Sequence, residues 1–269
     1  MNKITETAIK KLPEITLLFW IMKICATTLG ETAWDLFAQT LHIGYATTSL
    51  VLFSLFVIAL IGQLRSKKFH PSLYWTVILA TSTAGTTMSD YMDRTLGLWY
   101  IAGSAILITL LISVIGLWYY SEKSLSVSDA QTQKAEMFYW IAILVSNTLG
   151  TAFGDFLADS SGLGFAGWAL VVSTSIALIA LAYKYTKFSP IVLFWLAFVL
   201  TRPLGATVGD FFTKAVEKWG LGFWTMWSSA VLLAVLIGLI IYQYHSKKKE
   251  IIGEELIAEK DMMILESNG

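Results

Sequence analysis

Polar positions are scarce along this chain, and they are not scattered. Apolar runs of about 20 residues recur from end to end, the length a helix needs to cross about 30 Å of hydrocarbon. Eight such runs lie near residues 15–35, 43–64, 72–92, 97–120, 137–158, 163–184, 190–212 and 221–244. None alternates apolar and polar positions as a membrane strand does. A helix satisfies its backbone polar groups within its own segment, which lipid demands. The pattern therefore predicts an all-α integral membrane protein with eight transmembrane helices.

The polar positions inside the odd-numbered runs are themselves periodic. Each run opens with an aromatic residue followed by Trp: Phe19-Trp20, Tyr74-Trp75, Tyr139-Trp140, Phe194-Trp195. Ten residues after each Trp stands a glycine (Gly30, Gly85, Gly150, Gly205), and five further an aspartate (Asp35, Asp90, Asp155, Asp210). The pattern W-x9-G-x4-D is a strong internal repeat. The even-numbered runs match less closely, but each is preceded or opened by Gly44, Gly97, Gly164 or Gly222. Each unit holds two spans, so four units enter the membrane in the same sense as parallel repeats. They are expected to form a pseudo-symmetric bundle.

This arrangement resembles an uncharacterised bacterial membrane protein family made of four tandem two-helix repeats with a characteristic Trp. The resemblance covers Trp20 to about Tyr244 and implies the eight-span fold and a bacterial inner membrane. It brings no activity and no site residue, so function has to be read from the side chains.

Composition agrees with a lipid solvent: 56% of the 269 residues are hydrophobic, 14% are charged, and mean hydropathy is +0.64. The zero net charge is less informative than its distribution. Fourteen Lys and Arg lie on one side of the predicted spans, from Lys3 through Arg65, Lys123 and Lys184 to Lys260. Three lie on the other: Arg94, Lys214 and Lys218. Both termini are expected in the cytoplasm. The chain then divides into a cytoplasmic N-terminus (1–13), repeats one and two (14–120), a polar linker (121–136), repeats three and four (137–244) and a cytoplasmic tail (245–269). The polar start, followed by a span carrying Lys23 and Glu31, makes a poor signal peptide. Cys25 stands alone, so there is neither a disulfide framework nor a thiolate cluster.

The helix face bearing each Asp carries hydroxyls at three-, four- and seven-residue spacing. It reads Thr28, Glu31, Thr32 and Asp35; Thr83, Thr86, Thr87 and Asp90; Thr148, Thr151 and Asp155; Thr207 and Asp210, with Pro203 in place of the deepest Thr. Asp93, Arg94, Asp159 and Lys214 form an outer rim. The Trp residues suit the cytoplasmic interface. Fifteen residues on, about 22 Å along the helix, each Asp falls in the outer part of the membrane. A carboxylate at a helix C-terminus opposes the macrodipole, so four in register point to a bound cation. Gly and Thr serve helix packing equally well. Arg202 falls near the midplane and needs an acid, Glu31 being the first choice. Lys23 is placed to snorkel towards the Trp end, or to act with Arg202 as internal counter-charge.

Carboxylates with hydroxyls make a hard oxygen site, which predicts a divalent metal such as Mn²⁺ or Mg²⁺, or an organic cation. The metal ligands expected are Asp35, Asp90, Asp155, Asp210 and Glu31. No covalent cofactor or nucleic acid is expected; the partners are the bilayer and a small cation. No catalytic motif is present, so the expectation is a transporter, possible coupling to protons included, rather than an enzyme. The alternatives are a cation channel with an Asp ring and a non-transporting sensor or scaffold.

Overall fold

The computed structural model describes residues 12–41, 45–98, 100–127, 132–160, 163–218 and 220–267. Eight long helices follow one another: α1 (Leu17–Asp35), α2 (Tyr45–Arg65), α3 (Pro71–Asp90), α4 (Tyr100–Glu122), α5 (Gln133–Ser160), α6 (Gly164–Tyr185), α7 (Pro190–Thr213) and α8 (Thr225–Ser267). They overlie the eight apolar runs closely. The exception is α8, which continues as helix well past Tyr244 into the polar tail. Among the described residues, six helices are long and apolar enough to cross a membrane by composition alone. The other two, α1 and α3, carry the densest polar stripes, with Thr27, Thr28, Glu31 and Thr32 on one and Thr81, Ser82, Thr83, Thr86 and Thr87 on the other.

Those two helices are not lipid-facing. The odd helices form a closed inner ring in the order α1, α3, α5, α7 and back to α1. Each even helix packs outside the ring on the odd helix that follows it: α2 on α3, α4 on α5, α6 on α7, and α8 on α1, which completes the circle. The outer helices expose apolar side chains such as Leu50, Ile58, Ile112, Leu170 and Leu178, the surface a bilayer covers. The chain is a multi-pass membrane protein, and α1 and α3 sit beside α5 and α7 in one ring.

The repeat glycines explain how the ring closes. A Cβ built on Gly30 would come within 2.6 Å of Ser82, on Gly85 within 2.9 Å of the Asn147 backbone, on Gly150 within 2.6 Å of Arg202, and on Gly205 within 2.7 Å of Thr27. The intruding residue is always three before the glycine of its own repeat. Each glycine is thus a hollow that receives a knob from the next ring helix, and a side chain there would force the backbones apart.

At the N-terminal ends of the odd helices, called here the Trp end, the aromatic pairs form a second closed circle. Phe19 packs on Trp75, Tyr74 on Trp140, Tyr139 on Trp195 and Phe194 on Trp20, with centroids 5.5–6.3 Å apart. Trp75, Trp140 and Trp195 are buried and only Trp20 is half-buried, so these indoles are not the lipid-interface belt that their position suggested. They cap the ring instead. The Tyr74 and Tyr139 hydroxyls, 2.6 Å apart, satisfy each other inside the cap. Trp20 is less enclosed because a groove of about 710 Å³ opens beside it between α1, α6 and α7.

The opposite, or Asp, end is shaped by helix termination. The α1 and α3 helices pass directly from Asp35 and Asp90 into one π-helical turn (Leu36–Thr40 and Tyr91–Thr95). Gly97, Gly164 and Gly222 then take positive φ at the turns into α4, α6 and α8, a conformation only glycine adopts at no steric cost. Gly44 lies outside the described residues.

Candidate cation site in the helix ring

The centre of the ring is built around Arg202. Its guanidinium donates through Nη1 to the Thr27 carbonyl at 3.1 Å and through Nη2 to Glu31 Oε2 at 2.8 Å, both on α1. Nη2 also reaches the Thr86 hydroxyl on α3, which lies across the ring from α7. Thr86 in turn donates to Glu31 Oε2 at 3.4 Å. Arg202 is fully buried, and the Arg202–Glu31 ion pair is the one that the charge arithmetic selected. Because Arg202 spans from α7 to both α1 and α3, it occupies the axis at this height. By repeat position it stands where the other units hold Thr27, Ser82 and Asn147. The fourfold pattern is broken at that layer by one charged knob.

Lys23 does not snorkel to the interface. It is fully buried, its ammonium has no hydrogen-bond partner among the described residues, and it lies 4.1 Å from the centre of the Phe198 ring. The aromatic cap blocks the route that the snorkelling expectation required.

The four aspartates are not equivalent. Asp35 accepts a hydrogen bond from Lys214 Nζ at 2.7 Å, and Asp210 Oδ1 lies 3.3 Å from the same ammonium. Lys214 is therefore a bridge between the first and fourth repeats rather than an outer-rim residue. Just past the end of α7, it sits in a strong negative field. Burial alone would lower its pKa, but Asp210, then Asp35, and the hydrogen bond to Asp35 raise it above the ordinary lysine value. Asp90 accepts from the Trp34 indole at 2.7 Å, a donor that sequence reasoning missed. Asp155 is half-buried and makes no hydrogen bond or ion pair among the described residues, yet lies within electrostatic reach of Glu31, Asp210, Asp90 and Arg202. Asp93 is half-buried near Gly103 of α4. The side chains of Arg94 and Asp159 lie outside the described residues.

Two features bear on the expected ligands. First, the ladder hydroxyls are engaged as donors: Thr28, Thr32, Thr83, Thr87, Thr148, Thr151 and Thr207 all donate to carbonyls of their own helices. This local bonding lets hydroxyls pack inside the ring at no cost in unsatisfied groups. Second, no three His, Cys, Asp or Glu among the described residues come together as metal ligands, so Asp35, Asp90, Asp155, Asp210 and Glu31 form no multidentate chelate in this conformation. Among the described residues, Asp35 and Asp210 face an ammonium, Glu31 a guanidinium and the Thr86 hydroxyl, and Asp90 an indole N–H.

The ring architecture thus defines a four-repeat helical membrane protein with a charged axis. The chain belongs to the family described as Repeat of Unknown Function (DUF347), whose repeat matches residues 18–69, 73–124, 138–189 and 193–249. No curated protein and no solved structure matches the chain.

Proposed function

We propose that the protein transports a singly charged cation of about ammonium size, which enters the ring from the Asp end. The observation that carries this reading is Lys214, whose ammonium rests between Asp35 and Asp210 at 2.7 and 3.3 Å. A tethered cation already occupies the mouth, so the carboxylates there suit one positive charge. Asp155 adds an uncommitted carboxylate beside them. A divalent metal such as Mn²⁺ or Mg²⁺ has less support, because it wants several oxygens within about 2.0–2.6 Å. A static Asp-ring channel also has less support: Arg202 crosses the axis and the aromatic cap closes the far end. Alternating access, with the two halves rocking about the axis, fits a ring sealed in this way. The Lys and Arg distribution supports an Asp end outside and termini in the cytoplasm of a bacterial inner membrane.

The test is thermal stability of the purified protein with methylammonium, Na⁺, K⁺, Mg²⁺ and Mn²⁺, then flux in liposomes for any cation that binds. Singly charged cations should raise the melting temperature. Asp35→Asn, Asp155→Asn and Asp210→Asn should weaken that effect, and Lys214→Gln, which removes the tethered competitor, should strengthen it. Normal flux with all four aspartates replaced by asparagine would sink the reading.

A further inference from the structure

The repeat makes Lys23 conspicuous. Three residues past each Trp stand Lys23, Ile78, Ile143 and Phe198, all buried. Three are apolar and one carries an amine with no hydrogen-bond partner. Among the described residues its surroundings offer no counter-ion. From α7 come the Phe198 ring and Arg202, which has the same charge and already holds Glu31. From α3 and α5 come Ile78 and Ile143, with the Tyr74–Tyr139 hydroxyl pair nearer the Trp end. Glu136 of α5 lies at that end too, where Gln63 donates to it. The α8 helix has no charged residue between Thr225 and Gln243 and meets α1 where the Leu232 carbonyl accepts from the Cys25 thiol. On α1 itself the nearest titratable groups are Cys25 and Glu31.

With Lys23 protonated, the layer between the aromatic cap and Glu31 holds two positive side chains, Lys23 and Arg202, and one negative, with Asp90, Asp155 and Asp210 further towards the Asp end. A further cation reaching Glu31 would make three against one, where each unpaired charge is costly. If one proton leaves Nζ for water as one singly charged cation arrives, the net charge of the core is unchanged. We infer that Lys23 is the exchange partner of the cation: the proton on its Nζ and a cation at Glu31 exclude one another, so inward and outward passage of the two are coupled. This rests on the cation reading above and adds the coupling ion and the residue that carries it.

The experiment uses the full chain in liposomes, labelled with ¹⁵N-lysine, with methylammonium as the probe. Lys23→Met identifies the Lys23 resonance by its loss. That variant should fold, because the three equivalent positions are already apolar. Methylammonium should move the Nζ signal from the ammonium to the amine region and release about one proton per cation bound. While Lys23 holds its proton in the cation-free protein, affinity should rise about tenfold per pH unit. Lys23→Met should bind methylammonium with no proton release and a flat pH profile. Binding that leaves Lys23 an ammonium throughout, or the same proton release from Lys23→Met, overturns the inference and leaves the carboxylate site standing. Failure of both wild type and Lys214→Gln to bind methylammonium overturns both.

Discussion

Arg202→Met is the sharpest test of how the ring is held. The substitution keeps Cβ and Cγ, the two atoms that fill the hollow at Gly150, and removes only the guanidinium. Lost with it are the bonds to the Thr27 carbonyl, Glu31 and Thr86. Glu31, 7% exposed at its side chain, is left with the Thr86 hydroxyl at 3.4 Å. Stranding one member of a buried pair costs about 3–5 kcal/mol, which is roughly two to four orders of magnitude in the unfolding equilibrium. Chemical unfolding in mixed micelles reads this directly. Glu31→Gln in the same chain removes the stranded charge, so the double variant should recover much of the loss, with a coupling energy of about 2–3 kcal/mol. Additive losses would refute the reasoning, since they would mean that Arg202 and Glu31 are stabilised by separate surroundings rather than by each other.

Gly85→Ala should destabilise by about 1–3 kcal/mol, because its Cβ would meet the Asn147 and Thr148 backbone at 2.9 Å, and backbone cannot swing aside. Gly116→Ala on α4, with nothing within 4 Å, should be neutral or mildly stabilising in the same assay. Reporter fusions at Lys67 and Lys184 should read cytoplasmic and those at Gln39 and Ser160 external; an external reading at Lys67 would reverse the orientation. The Lys214 bridge should hold throughout neutral and mildly alkaline pH. A group whose folded pKa is raised contributes stability that is full below its unfolded value, 10.5 for lysine, and is lost as pH rises through the folded one. A thermal-stability profile in which Lys214→Gln removes a neutral-pH transition would contradict that assignment.

The chain by itself settled what the repeat period and lipid solvent settle. Eight apolar runs had to become helices because lipid offers no other partner for the backbone. The spacing from Trp to Gly to Asp, constant within a straight helix, fixed which residues share a height. Glu31 could be paired with Arg202 from charge economy alone, because a buried guanidinium needs an acid and few lay at that depth. What one-dimensional spacing cannot carry is which helices touch. Closure of α7 on α1 decided that Lys214 would bridge Asp35 and Asp210 instead of sitting on the rim, and the packing of α1 on α3 decided that Trp34 would serve Asp90. The same closure turned the Trp residues inward into a cap, overriding the interfacial preference of a lone indole. It also enclosed Lys23, for a snorkelling side chain needs an open path that only the packed ring could show to be shut. The threonines gave up their donors to their own helices for a similar reason: inside the packed ring the nearest acceptor is the carbonyl one turn back.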